Sequence, residues 1–306
     1  MRHAPCPLRS YESMGLQHIP VMVEEVMTFL RCDSGRTYVD ATLGGGGHAS
    51  EILRRAAPDG MVIGMEWDED ALAEARNALL SFGERVKIFR ENFVHLPDLM
   101  KVESVDGLLL DLGLSSFQVE REGRGFSFKG EGPLDMRMDQ RMDQTAADLI
   151  NHLSLKELEY TLFHYGEESW AKKIVKAIVY ERERGPIETT QTLRKIVHHV
   201  IPRRFHSRKI DPATKTFQAF RIRVNNELEN LRKMLETGWK ILKKRGRICV
   251  ISFHSLEDRM VKEAFRKLEK EGEMRILTKK PVSPSKEEKG RNPRSRSAKL
   301  RCAERI

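Results

Sequence analysis

Residues 37–49 read TYVDATLGGGGHA, an alternation of aromatic, β-branched and polar residues followed by four glycines in succession, then His48 and Ala49. Glycines lose more backbone entropy on folding than other residues, so such a run belongs where a ligand or another chain segment comes close to the backbone. A strand ending in a glycine turn that opens into a helix is the first unit of a nucleotide-binding α/β fold. Outward from it, MVIGME (61–66), VKIF (86–89) and VDGLLLDLG (105–113) supply further strands, the last apolar enough to be buried on both faces. Helical spacing marks the segments between and before them. Val23, Val26, Met27 and Leu30 share one face, Ile52 and Leu53 lie on a second helix, and a third runs from Glu69 to Leu80 with Asp68 as its cap. Strands alternating with helices predict a mostly parallel, doubly wound sheet.

After Gly113 the pattern changes. REGRGFSFKGEGPLDMRMD (121–139) mixes glycines, phenylalanines and charges and reads as an ordered loop; within it RMDQRMDQ (137–144) is a short duplication with helix-compatible spacing. Helical periods follow over Thr145–His152, Leu155–His164 and Trp170–Glu183, where Trp170, Ile174, Ala177 and Ile178 share a face. No strand is predicted up to about Thr216, so this stretch is read as a helical insertion. The sheet pattern then resumes with one long helix through Val224, Leu228, Leu231 and Leu235, a strand RICVISF (247–253) and a helix from Glu257 onward. The expected division is therefore a disordered tail over 1–17, a core over 18–125, the insertion over 126–216, the rest of the core over 217–280, and a basic segment over 281–306 that returns to the core.

Two readings of the glycine loop compete. Gly44 to Ala49 satisfies GxGxxA, and Glu66 ends the next strand 20 residues after Gly46, the spacing of a dinucleotide fingerprint with its acid on a ribose hydroxyl. Asp40, four residues before the first glycine, argues for a different ligand, because a carboxylate there repels a pyrophosphate but suits the sulfonium of S-adenosylmethionine. The ribose-binding acid serves either molecule. A second candidate is Asp111 in DLGLSS (111–116), at the end of the fourth predicted strand, where this fold class forms its crevice. Methylation of an exocyclic amine needs an acceptor for the amine N–H, and Asp111 offers one; Phe126 and Phe128 are candidates either for stacking on a base or for plugging the core.

The charge balance points the same way. The 306 residues carry a net charge of +9, which favours an anionic partner such as nucleic acid. Arg203 and Arg204 lie in PRRFHSRK (202–209), and from Lys279 to Arg301, including Arg294 and Arg296, nine Lys or Arg face two Glu. Such clusters suit phosphate contacts whose strength falls with salt. The four cysteines, Cys6, Cys32, Cys249 and Cys302, have neither zinc spacing nor a disulfide pattern, so no metal is predicted and a reducing, cytoplasmic setting is expected. No apolar run is long enough to span a bilayer, and the head MRHAPCPLRSYES lacks the apolar stretch of a signal peptide; Met14 is an alternative start.

Several strings taken together resemble one family, the bacterial methyltransferases of the RsmH type that modify the N4 amine of a cytosine in 16S ribosomal RNA. They are HIPVMVEEV, VDATLGGGGHA, LLLDLGLSS, RGFSF, GPLDMRMD, YGEE, PATKTFQAFRIRVNNEL, ISFHSLEDR and NPRSRSAKLR, in order from about His18 to Arg305. The resemblance implies a Rossmann-like S-adenosylmethionine-dependent methyltransferase core of α/β class with a helical domain inserted after the fourth strand. It also implies cofactor contacts from Gly46, Gly47, His48, Glu66, Phe93, Asp111 and Gln118. The expected substrate is 16S rRNA in the small ribosomal subunit or its precursor, and family analogy admits a homodimer. This sequence departs from the family pattern at Glu66, where aspartate is usual, at Phe117, where proline is usual, and at the RMDQ duplication. In FHSLEDR, His254, Glu257 and Asp258 suggest an acid–base trio, but Ser255 three residues before Asp258 also reads as a capping box that starts a helix.

Overall fold

Seven strands, β1 (Thr37–Asp40), β2 (Met61–Met65), β3 (Val86–Phe89), β4 (Val105–Asp111), β5 (Leu242–Ser252), β6 (Met274–Ile276) and β7 (Lys299–Arg305), form one sheet in the order β3-β2-β1-β4-β5-β7-β6. The computed structural model describes residues 19–115, 118, 119, 121, 123–127, 130–207 and 210–306. The predicted tail 1–17, Phe117 and Phe128 lie outside that set. The first five strands are parallel, and β7 runs antiparallel between β5 and β6. The basic C-terminal segment thus ends as an interior strand.

The unbroken apolar run of β4 is explained by helices on both faces. Leu109, with Tyr38 and Cys249, packs against α1 (Val23–Leu30), α2 (Gly47–Arg55) and α3 (Glu69–Leu79). Leu108 and Leu110, with Val39 and Val250, pack against α4 (Leu96–Leu99), α10 (Glu227–Thr237) and α11 (Ser255–Lys270). Alternate residues therefore serve opposite faces, as a strand's period of two requires. As the sequence predicts, Asp68 caps α3, its Oδ1 accepting from the backbone N–H of Asp70 at 2.9 Å and Ala71 at 3.3 Å.

Between β4 and β5 the chain builds a separate apolar cluster from α5 (Ala146–His152), α6 (Leu155–Gly166), α7 (Ala171–Arg184), α8 (Thr190–Val200) and α9 (Thr214–Asn225). Thr145 and Ser154 start α5 and α6 with capping boxes. The single long helix expected through Val224 and Leu235 is two helices, broken at Asn226, whose φ of 50° is left-handed. Asparagine reaches that conformation more readily than most residues, and it ends helices there. The expected boundary at 216/217 falls inside α9, since Phe217, Phe220 and Val224 all join the helical cluster. The RMDQ duplication is not helical either. Asp135 and Asp139 each accept from the backbone and guanidinium N–H of the arginine two residues on, Arg137 and Arg141, so the repeat is two successive turns.

Cys249 and Cys302 are direct cross-strand partners on β5 and β7, with both sulfurs buried 3.1 Å apart, a juxtaposition that their spacing in sequence conceals. Beside them Arg247 and Glu304 form a buried ion pair at 2.9 Å, and Arg247 also donates to the Phe29 carbonyl at 2.7 Å. Among the described residues no helix is long and apolar enough to cross a membrane.

Candidate active site

Chain order reverses between β1 and β4, and open α/β sheets bind ligands at the carboxyl ends of the strands flanking such a switch point. A cleft with about 1150 Å³ of empty space, its mouth included, lies there. Its walls bring together Gly44 and Gly47, Glu66, Phe93, Asp111 and Gln118 with Glu227, Asn230, Glu257 and Arg294.

The glycine loop is shaped by packing as well as by access. Gly46 adopts φ 83° at the start of α2, donates its N–H to the Leu43 carbonyl at 2.8 Å and faces Leu79 of α3. It turns the loop and does not line the cleft. A Cβ on Gly47 would stand 2.4 Å from Cγ of Pro20, so only glycine fits where α2 begins. Gly47→Ala is expected to destabilise the protein by about 1–3 kcal/mol through overpacking, as read by thermal unfolding; an unchanged midpoint would show that Pro20 yields.

Glu66 locks the loop from the neighbouring strand. Its Oε2 accepts from Gly44 N–H at 2.9 Å and its Oε1 from Asp68 N–H at 2.8 Å. Burial raises its pKa to about 7, even though those N–H groups favour the ionised form. Each carboxylate oxygen retains a second lone pair for a ligand.

Asp40, the residue that sets this loop apart from a dinucleotide turn, does not reach the cleft wall. It is 1% exposed beneath the loop, its Oδ1 accepts from Thr42 N–H at 3.2 Å, and burial raises its pKa to about 6. Its influence passes through His48. The His48 Nε2 lies 3.4 Å from Asp111 Oδ2, an ion-pair distance without hydrogen-bond alignment. Burial disfavours an imidazolium, but Asp111 and then Asp40 outweigh it and hold the His48 pKa above its ordinary value. The other oxygen of Asp111, Oδ1, is buried without a hydrogen-bond partner among the described residues. A buried acceptor left unmatched is costly unless a ligand supplies the donor.

Gln118 lines the cleft, yet its side chain is already engaged. Its Nε2 donates to Asp68 Oδ2 at 2.9 Å and its Oε1 accepts from Ser115 N–H at 3.0 Å, which ties the DLGLSS loop to α3. Phe126 is a correction. It is 8% exposed inside the helical cluster and absent from the cleft, so of the two readings of that phenylalanine the core plug holds. Phe128 lies outside the described residues. Arg203 and Arg204 are exposed on the helical body; Arg294 stands at the cleft, while Arg296 is exposed but not part of its wall.

The FHSLED string divides. His254, not Ser255, caps α11, with Nδ1 accepting from Glu257 N–H at 3.4 Å; Ser255 instead donates to Glu167 at 2.5 Å. Asp258 leaves the site to pair with Arg301 at 2.7 Å and Lys299 at 3.1 Å, which neutralises part of the basic C-terminal segment. Glu257 remains at the cleft, its Oε2 accepting from Phe253 N–H at 2.8 Å and its Oε1 lying 3.1 Å from His254 Nε2. Burial works against its charge, but His254 and Arg221 prevail and hold its pKa below the ordinary value.

Ligand atoms of Glu227, His254 and Glu257 all lie within 4.8 Å of one another. A divalent cation there would compete with Arg221, which grips Glu227 through two bonds of 2.8 Å, and with the capping role of His254 Nδ1. Capping leaves the proton of a neutral imidazole on Nε2, the nitrogen facing Glu257, so the group is better matched to a polar network that includes the Arg221–Glu227 ion pair than to a metal.

Several anchors of this site are not evident in the sequence. Arg124 is buried between Asp68 at 2.7 Å and Asp70 at 2.9 Å and also donates to the carbonyls of Arg137 and Met138. Asn225 accepts from Met138 N–H at 2.7 Å and donates to the Met136 carbonyl at 2.8 Å, which holds Met138 at the cleft. The only sequence signals were an arginine between two glycines and an asparagine at the end of an apolar helix.

The chain matches the model of the MraW methylase family over residues 15–306. It is 45% identical over 308 residues to the ribosomal RNA small subunit methyltransferase H of Syntrophobacter fumaroxidans, covering 95% of this chain and 97% of that one. The proteins of the same name from Trichlorobacter lovleyi and Desulfotalea psychrophila are each 48% identical, over 94% of this chain and 98% of theirs. A cleft at the β1/β4 switch point, lined by the glycine loop and by Glu66, Asp111, Glu227 and Glu257, together with likeness over nearly the whole chain, places this protein in the MraW methylase family, as an S-adenosylmethionine-dependent methyltransferase.

Proposed function

We propose that the enzyme methylates the exocyclic N4 amine of a cytidine in small-subunit ribosomal RNA, with Glu66, Phe93 and the loop at Gly47 holding the donor and Asp111 facing the acceptor. The unmatched Asp111 Oδ1 is the observation that carries the reading. The cleft fits the donor chemically: Glu66 offers acceptors for ribose hydroxyls, Phe93 an aromatic face, and Glu66 and Asp111 an acidic surrounding for a sulfonium. Bound there, S-adenosylmethionine supplies an electrophilic methyl group. Asp111 accepts a hydrogen bond from the target N–H, turning the nitrogen lone pair outward and stabilising the positive charge that grows on the amine. Glu257 and Glu227, fixed by His254 and Arg221, present further acceptors on the acceptor side of the cleft. The helical body from Phe126 to Asn225 and the exposed Arg294 and Arg296 hold the RNA, whose target base turns out of its strand to enter. The names of the relatives support the choice of RNA.

The test is transfer of labelled methyl from S-adenosylmethionine to small ribosomal subunits that lack the modification, followed by nucleoside analysis. Label in N4-methylcytidine at one position is the expected result. Donor binding without transfer would mean a different acceptor.

Glu66 gives a pH prediction. Its folded pKa, about 7 against an ordinary 4.5, is raised, so its contribution to stability is fully present below 4.5 and is lost as pH rises through 7. Ribose hydroxyls that donate to it favour the ionised form, so donor affinity should increase with pH through that same interval. Glu66→Gln is expected to weaken donor binding roughly ten- to hundredfold and to flatten this pH dependence, as measured by calorimetric titration. A Glu66→Gln profile that keeps the wild-type slope would remove Glu66 from the ribose.

A further inference from the structure

Phe205 is 55% exposed, the ring of Trp170 lies 5.4 Å away at 56°, and the two are flanked by cations. The guanidinium of Arg204 stands 5.0 Å from the Phe205 ring centre and the Lys173 ammonium 4.7 Å from that of Trp170, with Arg203 exposed beside them. Phe205 presents an exposed ring and Trp170 a half-buried one, each with a cation over it; single-stranded nucleic acid uses such groups, its bases stacking on aromatic rings while its phosphates meet the cations. The arrangement is held in place. His206 Nε2 is 2.8 Å from the Ile201 carbonyl, and Asp211 closes the loop onto α8 through Arg194 at 2.8 Å and His198 at 2.9 Å. It lies outside the cleft wall, on a helical body tied to the core close by: Glu167, three residues before Trp170, bonds Ser255 and Arg259 on the first turns of α11, the helix that carries Glu257.

We infer that the Trp170–Phe205 pair is a stacking platform for a single-stranded RNA segment next to the target nucleotide. The inference rests on the proposed RNA substrate and adds to it a specific contact outside the cleft. The platform's preference is for unpaired strands, since a duplex buries its base faces.

The test uses the full chain and a fluorescein-labelled single-stranded oligoribonucleotide, with the same strand in duplex as control. Binding is followed by anisotropy and by tryptophan emission, with Trp170→Phe identifying the part of the signal that comes from the platform rather than from Trp67 or Trp239. Phe205→Ala should weaken single-strand binding roughly tenfold, leave duplex binding unchanged and raise KM for small subunits without lowering kcat, while Phe205→Tyr restores wild-type values. Arg204→Gln, which keeps both rings, should weaken binding and reduce its salt dependence. Unchanged single-strand affinity in Phe205→Ala overturns the inference, as does a loss of self-association by sedimentation with RNA binding intact, which would make the face a contact between two copies. Failure of the wild-type enzyme to methylate small subunits, with the Phe205 effect on the oligonucleotide intact, would refute the substrate and leave the platform standing.

Discussion

Replacing Asp111 with alanine is expected to lower kcat by about 10²–10⁴-fold while the protein still folds and binds its donor within about tenfold of wild type. The substitution removes the oxygen that, among the described residues of the cleft, is buried without a partner, together with the charge that the proposed mechanism sets against the amine. Folding should tolerate the change, because the backbone N–H of Asp111 keeps its 2.6 Å bond to Thr42 Oγ1 and the strand keeps its register. Asp111→Asn retains an acceptor oxygen and loses the charge, so it should fall between alanine and wild type. Single-turnover methyl transfer with saturating donor separates the two effects. If alanine turns over at near the wild-type rate, Asp111 is a wall of the cleft and the proton-accepting group must be sought at Glu257 or Glu227.

Arg124→Met should lower stability by about 3–5 kcal/mol, the usual effect of removing one partner of a buried ion pair. Methionine fills much of the volume but leaves the Asp68 carboxylate, 1% exposed, without the guanidinium that faces it. The same carboxylate caps α3 and holds Gln118, so the loss spreads to the loop after β4. Chemical denaturation should show a lower midpoint with an unchanged slope. A midpoint within about 1 kcal/mol of wild type would mean that Gln118 and water compensate. Lysine should not rescue, because a single ammonium cannot reach Asp68, Asp70 and two carbonyls together.

What the sequence disclosed and what it concealed divide along chain separation. The glycine loop, the doubly buried β4 and the Asp68 cap were legible because each is decided by residues within one element or one turn. Arg124 with Asp68 and Asn225 with Met138 were not, because these partners lie 56 and 87 residues apart and either arginine or asparagine would read as a surface residue. Phe126 was ambiguous for a related reason: composition cannot say whether a phenylalanine in a glycine-rich loop faces a ligand or a core built from helices that follow it, as far on as Val224. The helix break at Asn226 was hidden because apolar spacing continues across it, although the backbone does not. Of the FHSLED string, local chemistry gave the helix start but not which acid turns inward, which depends on Arg221 for Glu257 and on Arg301 for Asp258.

The position of β7 has a consequence for how the protein is made. It is the last strand in chain order, yet it sits between β5 and β6, so β5 has an open edge until residues 299–305 arrive. At an elongation rate of roughly 5–20 residues per second that interval lasts on the order of seconds, during which apolar Ile248, Val250 and Ile251 border an unpaired backbone. The nascent chain is thus most exposed to misassociation before residues 299–305 emerge, and a chain cut short ahead of them carries the glycine loop and the acidic residues of the cleft but leaves the β5 edge unpaired.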